Sequence, residues 1–82
     1  MIEPDWSTAP RWAQWFAIDG NGEAWWYEIE PYVRTRDNMW GMKFSYNEGW
    51  QCEPTETYLE AIWDWQNSLK KRPAEGGEND RT

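Results

Sequence analysis

The chain has no histidine and a single cysteine, Cys52, among 82 residues. Without histidine the usual general base near neutral pH is missing. One cysteine cannot form an intrachain disulfide, and no Cys/His constellation for zinc exists. Aliphatic residues are scarce too, since Leu, Ile and Val together number seven. Bases are outnumbered, with 8 Lys and Arg against 15 Asp and Glu and a formal net charge of −7. That balance argues against direct binding to nucleic acid or to an anionic membrane, because both require basic patches. No run approaches the ~20 apolar residues of a membrane span. The opening "MIEPDWSTAP" lacks a basic segment followed by an apolar one. No secretory leader is therefore expected, and the setting expected is cytoplasmic, which a lone thiol also fits.

What is present is aromatic: nine Trp, four Tyr and two Phe. One aromatic side chain buries ~150–250 Å², so a few of them can stand in for many aliphatic ones. A chain of this length makes one small domain, which must hold itself together by packing or by oligomerising. Nine tryptophans exceed what one such core takes in. The surplus predicts an exposed aromatic surface, and such surfaces tend to be interaction sites.

Residues 1–10 contain two prolines and no periodicity, and read as an irregular arm anchored by Trp6. "WAQWFAI", "DGNG" and "EAWWYEIE" follow as strand, turn and strand, because Asp-Gly and Asn-Gly favour the mirror-image turns that match strand twist. Any two-residue loop gives one assignment of faces. It places Trp12, Gln14, Phe16, Ile18, Trp25, Tyr27 and Ile29 on the core face. Ala13, Trp15, Ala17, Ala24, Trp26, Glu28 and Glu30 fall on the outer face, with Trp15 and Trp26 within reach of each other. Residues 32–38 read as a loop. Residues 39–46 alternate apolar and polar through Trp40, Met42, Phe44 and Tyr46, as a half-buried third strand does. A turn at 47–49 and a short fourth strand over 50–53 come next.

"PTETYLEAIWDWQNSLKK" reads as a helix. Thr57 and Glu60 fit a capping box. Tyr58, Leu59, Ile62, Trp65 and Leu69 form an apolar stripe. Lys70, Lys71 and Arg72 suit the negative end of a helix dipole. The fold class is thus α+β. An antiparallel sheet of three to four strands, β-hairpin first, is packed by one C-terminal helix in ββ(ββ)α order. Residues 1–72 form the domain, and residues 73–82, without apolar content, form a disordered tail.

No Ser or Cys has an evident activating partner, and no phosphate loop or dinucleotide fingerprint occurs. The reading is of a protein that is not an enzyme and takes no cofactor or metal. Glu56, Glu60 and Asp64 repeat every four residues, which on a helix places carboxylates at roughly 6 Å intervals. That row resembles a phosphate track in spacing, and it is also what any solvated helix face requires. Trp15 and Trp26, with Glu28 and Glu30 along their face, form either an exposed aromatic patch or a surface covered by Trp6 and Ile2 of the arm. Trp63 lies beside the helix stripe, where it packs on the sheet edge or faces a partner. Tryptophan faces in an acidic surround receive Arg side chains by cation–π contact.

The first third of the chain resembles small, acidic, tryptophan-rich proteins of tailed bacteriophages. The residues that carry the likeness are Asp5, Trp6, Ser7, Ala9 and Pro10, then Trp12, Trp15, Asp19, Gly20, Gly22, Trp26, Tyr27 and Glu28. The resemblance implies a host-cytoplasmic protein that acts by occupying a host protein. The partner expected is one with a basic nucleic-acid-binding surface, such as a CRISPR effector or another anti-phage defence complex, engaged by an acidic inhibitor that mimics DNA. The expected contact residues are Trp15, Trp26, Glu28, Glu30, Glu56, Glu60, Trp63 and Asp64. The alternatives are a self-associating accessory phage protein and, behind it, a carbohydrate-binding module that stacks sugar rings on tryptophan.

Overall fold

The chain does reverse at the Asp-Gly-Asn-Gly stretch, but with one residue more than a two-residue loop. In the computed structural model, which describes residues 2–42 and 50–74, the Asp19 N–H donates to the Glu23 carbonyl at 2.8 Å and the Gly22 N–H to the Asp19 carbonyl at 2.9 Å. The loop is therefore Gly20, Asn21 and Gly22, a three-residue form that ends in a left-handed residue. Gly22 supplies it, at φ 94°. The Asn21 side chain accepts from the Glu23 N–H at 2.9 Å and steadies the exit.

That extra residue inverts the expected faces. The strands β1 (Trp15–Ile18) and β2 (Glu23–Tyr27) pair antiparallel with Phe16 opposite Trp26 and Trp15 opposite Tyr27. Side chains alternate with a period of two, so a one-residue change moves every residue of one strand to the other face. Trp26 thus sits with Phe16 and Ile18, while Trp25 and Tyr27 sit with Trp15 and Ala17. Trp15 and Trp26 lie on opposite faces, contrary to the expectation.

Both faces of the hairpin are covered. On one, Phe16, Ile18, Ala24 and Trp26 pack with Ala61 and Tyr58 and with Ile2, Trp6 and Trp12 of the N-terminal region. The arm is tied locally. Asp5 caps the 3₁₀ turn Trp6–Thr8 by accepting from the Ser7 N–H, and the Arg72 guanidinium donates to the Pro10 and Ala13 carbonyls at 3.1 and 2.7 Å. On the other face, Ala17, Tyr27, Trp15 and Trp25 meet Trp40, Val33, Trp65 and Leu69. Trp40 and Val33 come from a second hairpin, β3 (Tyr32–Arg34) and β4 (Met39–Gly41). Its first strand lies where a loop was expected. Asn38, at φ 55°, closes its turn, a conformation that Asn tolerates better than most residues.

The α+β class stands in its coarse form, an antiparallel sheet with one helical segment, but the arrangement differs from the expected order. The main sheet has the order β5-β2-β1-β6, and β3–β4 form a separate two-stranded sheet. The expected 54–71 helix is divided three ways. Its start belongs to β5 (Cys52–Thr57), which pairs with β2. Its middle is a 3₁₀ segment, Leu59–Asn67, broken at Asp64. Its end is β6 (Lys70–Lys71), which pairs with β1. The expected capping box is absent, since Tyr58 stands at the cap with no side-chain hydrogen bond. The hairpin has two bare edges, and their unpaired backbone groups recruit the segments on either side of the helical turns. Thr55 and Thr57 are β-branched and suited to that use. The expected strand at 50–53 overlaps β5 only at Cys52 and Glu53, and the expected strand at 39–46 is realised in part as β4. Residues 43–49, and the expected tail from residue 75, lie outside the described residues.

The two hairpins are joined by a buried acid. Asp19 accepts from the Trp40 N–H at 2.8 Å, the Trp40 indole N–H donates to the Ile18 carbonyl at 2.9 Å, and Gly20 donates to the Asn38 carbonyl at 2.8 Å. Burial raises the Asp19 pKa above the ordinary 3.8, partly offset by the Trp40 hydrogen bond. The folded state therefore holds this proton more tightly than the unfolded chain. The group's contribution to stability is greatest below the unfolded value and is lost as pH rises through the folded one. Asp19→Asn keeps the acceptor and removes the charge. In urea melts its stability should improve relative to the parent between pH 3 and pH 7. Parallel pH profiles for the two proteins would show that Asp19 carries no such shift.

Candidate protein-interaction surface

A 3₁₀ helix has three residues per turn, so side chains three apart stand in columns. Before the break at Asp64, Leu59 and Ile62 stand in one column and Glu60 and Trp63 in another. Leu59, Glu60 and Trp63 are exposed and Ile62 is half-buried; beyond the break Trp65 is buried. Trp63 is 89% exposed and Leu59 65% exposed. Two large apolar side chains so open to water on one short segment are unusual for a tryptophan-dense core protein. The segment is held from beneath by Trp65 and Ser68. The Ser68 hydroxyl accepts from the Ile18 N–H at 2.8 Å and donates to the Trp65 carbonyl at 2.7 Å. Trp65 meets Trp40 edge-on at 6.2 Å.

Glu60 and Asp64 line a cleft of about 190 Å³ whose apolar walls are Ile2, Ile18 and Ala61. Burial raises the Tyr58 phenol pKa, and the charges of Glu56, Glu60 and Asp5 raise it further, so the three carboxylates gather around that ring. Asp5, absent from the expected site, arrives through the folding of the arm. Its own pKa is lowered by the Ser7 hydroxyl and then by the Ser7 N–H.

Of the expected residues the structure gathers Glu56 and Glu60 at the Tyr58 ring and sets Glu60 and Asp64 on one cleft, with Trp63 exposed on the same helical segment. It does so without the expected geometry. Glu56 is exposed on β5, not on a helix, and the backbone breaks at Asp64, φ −134° and ψ 38°. The three acids therefore do not line one α-helical face at even intervals. The other four lie elsewhere. Trp26 is 4% exposed, beneath the Trp6 ring at 5.2 Å and beside Phe16 at 5.3 Å. The covered alternative is the one realised for this residue. Trp15 is half-buried, with the Lys71 ammonium 5.7 Å from its ring. Glu28 is half-buried and accepts from the Gln51 N–H at 3.0 Å. Glu30 is exposed in the connection to β3. Leu59, expected on the inward stripe, is exposed instead.

Charge is segregated across the sheet. Lys70 and Lys71 occupy one edge strand and Glu53 and Glu56 the other. Charged edges, and Pro54 in β5, also discourage edge-to-edge pairing with other chains. Burial pushes the Cys52 thiol pKa up, away from an activated thiolate. Among the described residues no group of three His, Cys, Asp or Glu is placed to hold a metal ion. No helix among them is long and apolar enough to cross a membrane. Comparison with protein-family models, curated proteins and solved structures finds no match.

Proposed function

We propose that this protein is a small non-enzymatic binder that presents the Trp63 ridge and its acidic surround to the basic nucleic-acid-binding surface of a larger protein. The observation that carries this reading is Trp63, 89% exposed on the same short segment as the acids Glu60 and Asp64. Tryptophan is among the residue types enriched at binding hot spots. Carboxylates around such an anchor speed encounter with a basic surface and fix its register. The resemblance of the first third of the chain to tailed-phage proteins adds the setting: an anti-defence inhibitor in the host cytoplasm, aimed at a CRISPR effector or a comparable defence complex.

A pull-down from host lysate at low and high salt tests this. Screening shortens from about 10 Å at 0.1 M to about 3 Å at 1 M. The partner should be captured at low salt, released at high salt, and displaced by competing nucleic acid. Salt-insensitive capture, or a partner indifferent to nucleic acid, would remove the reading. The second reading, self-association through the exposed ridge, is favoured by Leu59 at 65% exposure beside Trp63. Sedimentation velocity at high concentration separates the two, since a pure monomer rules it out.

A further inference from the structure

We infer that the cavity between the two hairpins receives a quaternary ammonium head. It shares no residue with the cleft that Glu60 and Asp64 line, and its occupancy does not depend on the binding role proposed above. The cavity holds about 200 Å³, and Asp19, Trp25, Tyr27, Met39, Trp40 and Met42 border it. A site for a drug-sized molecule is larger, ~300–1,000 Å³, so this one suits a head group. Tyr27 and Trp40 are buried there, whereas Trp25, Met39 and Met42 are half-buried and keep accessible surface. What points to a ligand is an acid without a counter-charge. Asp19 is 4% exposed. It accepts from the Trp40 N–H, and no Lys or Arg pairs with it among the described residues. Arg34, a cation of the second hairpin, is paired with Asp37 instead.

A buried carboxylate is ordinarily paired or bound to a metal. Burial raises the Asp19 pKa, with the Trp40 N–H, the Glu23 charge and the Trp25 indole N–H acting after it, as befits a charge that lacks a partner. That indole N–H is itself buried and completes no hydrogen bond. The Asp19 charge also reaches across to Tyr27, whose phenol pKa is raised first by burial and next by Asp19. The lining selects among cations. Among the described residues no group of three His, Cys, Asp or Glu is placed for a metal ion. A primary ammonium carries three donors and strongly held water, and Asp19 is the one carboxylate on this cavity to receive it. A quaternary ammonium has no donor to satisfy. It is drawn by the carboxylate and by the aromatic rings of Trp25, Tyr27 and Trp40 alike, and recognition of such heads is the usual role of aromatic residues grouped around a cation. Met39 and Met42 supply soft, adaptable surface for its methyl groups.

The test uses the full chain labelled with ¹⁵N and choline as probe. Ethanolamine supplies the matching primary ammonium, and dimethylbutanol replaces the charged nitrogen of choline with carbon. The reporter is the Trp25 indole resonance, assigned by its loss in Trp25→Phe. Choline should shift that resonance saturably. Ethanolamine and dimethylbutanol should each bind about tenfold more weakly or worse. Asp19→Asn keeps the acceptor for Trp40 and is expected to strengthen the fold. It should weaken choline by about tenfold or more, while the other indole resonances stay in place and report an intact structure. Parental affinity for choline in Asp19→Asn, equal affinity for choline and either counterpart, or no saturable response would each overturn the assignment. A trimethyl-lysine peptide run beside choline separates a head carried on a protein from one on a free small molecule. Tighter binding of either supports the site and names the source. Trp63→Ala should leave the choline response unchanged, so loss of the cavity assignment and loss of the binding role are read separately.

Discussion

Trp26→Ala should destabilise the protein by about 3–5 kcal/mol, whereas Trp63→Ala should change its stability by less than about 0.5 kcal/mol. The two residues are chemically identical, so the contrast isolates burial. Trp26 lies between Trp6 and Phe16 at 5.2 and 5.3 Å. Its removal leaves a cavity under the arm that neither ring can fill without moving the backbone. A domain of 82 residues has a total stability of only ~4–12 kcal/mol at ~0.05–0.15 kcal/mol per residue. Loss of Trp26 therefore consumes a large part of the margin. Trp63 makes so little contact that its truncation removes almost nothing from the folded state. Urea denaturation followed by circular dichroism measures both. A Trp63→Ala penalty comparable to that of Trp26→Ala would show that Trp63 is packed rather than offered.

For binding the order reverses. Trp63→Ala should weaken the captured partner's affinity by about 30-fold or more, the equivalent of a hot-spot loss of about 2 kcal/mol. Glu56→Lys combined with Glu60→Lys should abolish binding at physiological salt. The double variant replaces two attractive charges with two repulsive ones at a basic surface, where like charges brought together cost several kcal/mol. Both acids are exposed, so the fold should survive the change. Surface plasmon resonance at two ionic strengths reads the outcome. Wild-type affinity in the double variant, or an unchanged salt slope, would eliminate the electrostatic contribution. Trp63 would then be left as an apolar anchor alone.

Several features were legible along the chain. The Asp-Gly-Asn-Gly stretch marks a hairpin wherever it falls between two aromatic runs, because glycine supplies the positive φ that the turn requires. The covering of the hairpin by Ile2 and Trp6 was one of two readings open from composition. The exposure of some tryptophan followed from number alone, since nine indoles exceed one small core. Which indole that was did not follow. Trp26 and Trp63 are separated by the register of one turn and by the period of one helical segment, and neither is a property of the residues themselves. A loop of two residues or of three is compatible with the same four letters, yet the choice sends Trp26 to opposite faces.

The 54–71 stretch shows the same limit more sharply. Its stripe, its charges and its caps all agree with an α-helix, and local agreement of that kind normally persuades. The β1–β2 hairpin overrides it by offering two unpaired edges, which Cys52–Thr57 and Lys70–Lys71 fill. What remains between them is too short and too constrained at its ends for a full helix, and it tightens into 3₁₀ turns. The amino-acid sequence by itself determined the acidity, the aromatic surplus, the absence of histidine and the central hairpin. The tertiary structure alone decided which tryptophan is buried and which acids meet around Tyr58. Those outcomes depend on backbone hydrogen bonds between segments distant in sequence, whose donors and acceptors are the same for nearly every residue type and therefore leave no mark on the letters.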